Sequence, residues 1–112
     1  MPRSQITTAT LAGGTVEVTG PIIAAEDEKA FVPLTIHVVL VQPDAYAHGH
    51  GTAGVGRDDG LLGWTVHADA DGMPIARGPA LATGLLVYVD RRKGGEVPLP
   101  QTVTWTENVA IT

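Results

Sequence analysis

Apolar and polar residues alternate with a period of two in segment after segment of this chain, and no stretch of ten residues carries a helical period. From Leu62 to Ala70, the residues Leu62, Trp64, Val66, Ala68 and Ala70 share one face, while Thr65, His67 and Asp69 share the other, the pattern of a half-buried strand. From Leu34 to Gln42 the even positions Leu34, Ile36, Val38 and Leu40 are apolar. The opposite face begins with Thr35 and His37 and ends in Val39 and Val41, which predicts a central, nearly covered strand. Leu81 to Asp90 reads the same way, with Leu81, Leu85, Val87 and Val89 opposed to Ala82, Gly84, Leu86 and Tyr88. Val103, Trp105, Val109 and Ile111 alternate with threonines, Asn108 and Ala110 in a strand that runs to the chain end, and Thr15 to Thr19 places Val16 and Val18 inward. Gln5 to Leu11, Ile22 to Ala25 and Thr52 to Arg57 are shorter and flanked by glycine or proline, as edge strands or extensions are.

Turn signals separate these runs: Gly13-Gly14, Gly20-Pro21, Glu26 to Lys29, Asp58-Asp59-Gly60, Asp71-Gly72 and Gly94-Gly95. About seven short strands split by such turns predict an all-β fold. The expectation is an antiparallel two-sheet sandwich, with a barrel as the alternative topology. The spacing resembles an immunoglobulin-like or fibronectin-III-like sandwich, although both antibody-type cysteines are absent. The length suits one domain over residues 1–112, and residues 1–12 read either as an extended N-terminal arm or as an ordinary first strand completing its own sheet.

Charge and composition narrow the function classes. Twelve acidic against seven basic side chains, a net charge of −5, oppose a nucleic-acid partner, which needs a positive field. The one basic cluster, Arg91-Arg92-Lys93, precedes Gly94-Gly95 between two apolar runs and reads as a solvated turn. No cysteine is present, which excludes disulfides, thiolate metal sites and a cysteine nucleophile together. No apolar run approaches the roughly 20 residues a membrane helix needs, and Met1 to Gly14 lacks the apolar core of a signal peptide. The expectation is therefore cytoplasmic synthesis without membrane insertion, with incorporation into an exported assembly left open.

Residues 43–60 stand out, with five glycines, two histidines, three aspartates and Tyr46 in one stretch that reads as a loop. Gly49 to Gly54 matches the dinucleotide fingerprint in letters only, because no helix-forming sequence follows to receive a pyrophosphate. His48-Gly49-His50 places two imidazoles on one side of an extended chain and is the candidate metal pair. The motif resembles that of cupins, but Gly54 and Val55 stand where a cupin has its glutamate. Copper-zinc dismutase sandwiches need more histidines than the four here, and a disulfide. His37 and His67, on outward faces of other strands, are the remaining histidines. Tyr46, His48, His50, Arg57, Asp58 and Asp59 form the candidate ligand-binding set.

Little else carries chemistry. Asp69 to Gly72 lacks the third acidic position and terminal glutamate of a calcium loop. Glu107 interrupts an inward face beside Trp105 and is read as turned outward by a β-bulge, with a buried functional carboxylate as the alternative. Ser4 is the only serine, and no nucleophile elbow exists. Trp64 and Trp105 point inward, so no aromatic platform for sugars is expected. No cofactor and no catalytic residue are assigned. The sequence thus points to a non-enzymatic structural or interaction module of a larger assembly, with protein partners or self-association through the uncharged Gln5 to Leu11 segment. The alternative is a small metal- or ligand-binding protein, or an enzyme, using Tyr46 to Asp59.

Overall fold

A computed structural model describes residues 3–23, 31–55, 62–90 and 100–112. The strands are β1 (Arg3–Ser4), β2 (Thr8–Ala12), β3 (Thr15–Ile23), β4 (Phe31–Gln42), β5 (Ala45–Thr52), β6 (Gly54–Val55), β7 (Leu62–Ala70), β8 (Gly78–Asp90) and β9 (Pro100–Ile111). Every pairing is antiparallel, along one path β1-β3-β7-β5-β4-β8-β9, with β2 also on β3 and β6 on β7. The chain is all-β, as the alternation predicts. The expected division into two sheets is not what is observed, because a single strand path curls into a nearly closed barrel.

Closure comes from the two chain ends. Leu11 N–H donates to the Thr112 carbonyl and Thr112 N–H donates to the Ala9 carbonyl, both at 2.9 Å. Residue 112 thus bridges residues 9 and 11, the pattern of a parallel pair, and joins β2 to the end of β9. Gly13 and Gly14, both at positive φ, make the two-residue turn of the β2–β3 hairpin. Within the N-terminal segment, Thr8–Ala12 is thus a strand paired to β3 in its own sheet, the second of the two readings given for it.

The interior is built from the inward rows of these strands. Val16, Val18, Ile36, Val38, Leu40, Ala47, Val66, Ala68, Ala82 and Leu86 are fully buried. On β8 the buried row is Ala82, Gly84, Leu86 and Tyr88, while Leu81 is exposed. On β4 the even row is buried from Ile36 to Leu40, but Leu34, Val39 and Val41 are exposed. β4 is central yet covered on one side only, contrary to the expectation.

Two indoles fill the space between the sheet's ends. Trp64 stands opposite Gly20 across β7 and β3, and Trp105 stands opposite Gly84 across β9 and β8. A Cβ at either glycine would collide with the facing ring. The ring centroids lie 6.3 Å apart, tilted by 49°. Each indole N–H finds an acceptor, as buried tryptophans require. Trp64 Nε1–H donates to Ser4 Oγ at 2.8 Å, and Ser4 donates on to the Pro21 carbonyl at 2.6 Å. Trp105 Nε1–H donates to Glu107 Oε2 at 2.7 Å, and the same oxygen accepts from Ile6 N–H at 2.9 Å. Gly20-Pro21, expected as a turn, lies inside β3, where its missing side chain seats Trp64.

Glu107 is not on a bulge. Ala82↔Glu107 sits in an unbroken register from Gly78↔Ile111 to Val89↔Pro100, so the carboxylate faces inward beside Trp105. It bonds the N-terminal segment where β9 and that segment are not joined by backbone hydrogen bonds.

Replacing Trp64, 5% exposed, with alanine is expected to cost about 3–5 kcal/mol. Trp105→Ala is expected to cost less, because its ring is only partly buried, and exposed Thr65→Ala should stay within about 0.5 kcal/mol. Denaturant midpoints measure all three, and a neutral Trp64→Ala would refute this account of the core.

Candidate functional site

The segment read as a loop over residues 43–60 is mostly strand. Pro43-Asp44 turns β4 into β5, and Gln42↔Ala45 closes that hairpin. Along β5, Ala47, Gly49 and Gly51 face inward while Tyr46, His48 and His50 face solvent. The inward glycines have a steric reason. A Cβ at Gly49 would run into the His67 carbonyl of β7, and one at Gly51 into the Thr65 carbonyl. β5 pairs with β7 only at Ala47↔Ala70 and His48↔Asp69, and beyond that its glycine face lies against the β7 backbone, a tight corner of the barrel. Arg57, Asp58 and Asp59 lie outside the described residues.

All four histidines occupy the outer face of three neighbouring strands: His37 on β4, His48 and His50 on β5, His67 on β7. His37 and His50 are directly opposite. Tracing the ladder from the Asp71 N–H bond to the Tyr46 carbonyl makes this a non-hydrogen-bonded pair, the kind whose side chains come closer. Their rings stack at 5.6 Å between centroids. The nearest imidazole partner of His50 is thus His37 across the ladder, not His48 two residues away.

Carboxylates border the row. Tyr46 O–H donates to Asp71 Oδ2 at 3.1 Å, and His48 Nε2 lies 4.0 Å from the same oxygen. Asp69, beside His48, accepts from Thr15 Oγ1 at 2.8 Å, and His67 Nε2 lies 3.3 Å from Glu17 Oε2. The hydrogen bond to Asp71, and its negative charge, hold the Tyr46 phenol above its ordinary range. These groups are solvated: the His48, Asp71, His67 and Glu17 side chains are each more than half exposed. Among the described residues no three His, Asp or Glu side chains converge as metal ligands.

Beside the histidines, Tyr46, Val41 and Leu81 are exposed and lie in successive register across β5, β4 and β8, with exposed Val39 next to them on β4. Met73 flanks this apolar patch from the connection after β7. That connection is pinned by Gln42, whose amide donates to the Ala76 carbonyl at 2.7 Å and accepts from Ala76 N–H at 3.0 Å.

The second notable surface is the seam of the barrel, which sequence reasoning did not single out. β9 pairs with β8 along its whole length, but on its other side, among the described residues, backbone bonds occur only at Thr112. Thr112 directs both its N–H and its C=O to that side. Because the β8–β9 register is unbroken, Thr102, Thr104 and Thr106 direct theirs the same way. The inward residues Gln101, Val103, Trp105 and Glu107 are all only partly buried, as expected beside an open seam. A cleft lined by Ile6, Thr7, Ala9 and Glu107 to Ala110 marks where the seam opens. No helix of the described residues is long and apolar enough to cross a membrane. Comparison with protein-family models, with curated proteins and with solved structures finds no match.

Two outcomes are expected at the histidine face. In Asp71→Asn, the Tyr46 phenol should titrate at lower pH than in the unaltered protein, because the carboxylate that favours the protonated phenol is gone. Phenolate absorbance against pH reads this. Protein purified without added metal is expected to carry no stoichiometric zinc or copper. Elemental analysis checks it, and a bound ion lost in the double variant His37→Ala, His50→Ala would show instead that the pair holds one.

Proposed function

We propose that this protein is a non-enzymatic structural or interaction module, a subunit or accessory protein of a larger assembly such as a virion, filament or surface layer. It joins its protein partner by strand addition at the outer edge of β9. The observation that carries the reading is that edge. It offers the backbone groups of Thr102, Thr104 and Thr106 unpaired among the described residues, and such a row is a template for another strand.

The composition of the edge supports the same reading. Natural edge strands that must stay unpaired carry lysine, proline within the strand, a bulge or an inward-pointing charge; the inward charge of β9, Glu107, has its carboxylate taken up by Trp105 Nε1–H and Ile6 N–H. β9 has no lysine or arginine, its one proline is the first residue, and its register is continuous. Its outward side chains over this stretch are threonines, which suit a pleated surface and pair well across strands. The solvated, unconverged side chains of the histidine face favour the non-enzymatic reading over the ligand-binding alternative.

Hydrogen exchange on dilute protein tests the premise. The amides of Thr102, Thr104 and Thr106 are expected to exchange fast, and those of Val103 and Trp105, bonded to β8, slowly. If the three threonine amides are already protected in the dilute monomer, the edge is occupied within the chain and the reading fails.

A further inference from the structure

We infer that the strand completing the β9 edge is β9 of a second copy of this chain, paired antiparallel about a two-fold axis centred on Thr104. The inference rests on the reading of that edge as the docking edge and adds its occupant and register. Four observations select it.

The available length comes first. Near Glu107 to Ala110 the N-terminal residues Ile6, Thr7 and Ala9 stand beside β9. Among the described residues the open part of the edge is therefore the stretch before Glu107, and pairing about Thr104 spans Thr102 to Thr106 within it. Backbone parity comes next. A two-fold antiparallel pair has a hydrogen-bonded pair on its axis when the central residue directs its N–H and C=O outward, as Thr104 does. Pairing Thr104 with itself and Thr102 with Thr106 supplies about six backbone hydrogen bonds.

The side chains then match. The sequence Thr102-Val103-Thr104-Trp105-Thr106 is nearly symmetric about its centre. On the outer face threonine meets threonine. On the inner face Val103 meets Trp105 of the second copy, extending apolar cover over a ring that each chain alone leaves partly exposed.

Charge is compatible with this register. Glu107 is the only ionisable residue of β9. Pairing centred on Thr104 sets it opposite Gln101 of the other copy, so the two carboxylates never face each other. Gln101 Oε1 accepts from Tyr88 O–H at 3.3 Å, which leaves the amide N–H groups to donate across the new pair. An edge contact of this size falls in the range of weak, transient interfaces, so the dimer dissociates on dilution.

The test is sedimentation velocity from micromolar to near-millimolar protein, together with cysteine trapping, which is clean because the chain has no cysteine. The unaltered protein should pass from monomer to dimer across this range. Under mild oxidation Thr104→Cys should form a covalent dimer. Thr106→Cys alone should not, while a mixture of Thr102→Cys and Thr106→Cys chains should, because directly opposed strand residues lie within disulfide reach. Thr104→Lys sets two like charges face to face and should weaken association at least tenfold with unchanged circular dichroism. A monomer at every concentration, with the threonine amides exchanging fast, would overturn the second copy as occupant while leaving the docking edge itself standing. Cross-linking of Thr106→Cys to itself would overturn the register. A dimer indifferent to Thr104→Lys would place the contact on another surface and overturn the proposal.

Discussion

Curling one antiparallel sheet until its ends meet is the constraint on which the rest of this structure depends. A curled sheet brings inner faces together, and something must give way where backbone meets backbone or where a large ring must fit. Here glycine gives way. Gly49 and Gly51 let β5 lie against the β7 backbone at the corner, and Gly20 and Gly84 each leave the space that a facing indole occupies. The two tryptophans then bridge the interior between strands far apart in the path, β7 and β9. Removing either ring would leave both a cavity and a bare glycine backbone, which is why these positions carry more of the fold than their number suggests.

The polar atoms of those indoles explain how the ends are joined. Trp64 is satisfied by Ser4, and Trp105 by Glu107, which also takes the Ile6 amide. Both acceptors thus serve the N-terminal segment, one from within it and one by reaching it. A carboxylate reaches across the seam where strand pairing does not, and among the described residues backbone pairing there occurs only at Thr112. Among the described residues the barrel is consequently fastened at one end of β9 and unpaired along the other, and that stretch is the surface on which the proposed assembly role rests.

The contacts of the outer histidine face are pairwise among the described residues. His37, His48, His50 and His67 lie on adjacent strands, with Glu17, Asp69, Asp71 and Tyr46 among them, yet these side chains meet in pairs rather than around a common point. A catalytic or metal centre needs convergence and shelter from water, because only then do imidazoles and carboxylates acquire distinct affinities for protons or ions.

Period-two alternation in the sequence was enough to determine the strand class, the positions of most strands and the inward placement of Val16, Val18, Ile36, Val38, Leu40, Trp64 and Val66, because burial on one face of a pleated strand writes itself directly into the chain. It misled where a strand's inner row is made of glycine. β5 read as a loop because glycine carries no apolar signature, although Tyr46, His48 and His50 alternating with Ala47, Gly49 and Gly51 held the same period in size rather than in hydropathy. Gly20-Pro21 read as a turn for the same reason, since the ring that needs the gap belongs to a residue more than forty positions away. Only the tertiary structure decided that the strands form one curled sheet, that Glu107 faces inward to hold the N-terminal segment, that His50 stacks on His37, and that the β9 edge at Thr102, Thr104 and Thr106 is unpaired among the described residues. Each of these depends on which strands become neighbours, and strand pairing over long sequence separations is set by the packing of the whole barrel and leaves no local periodicity to read.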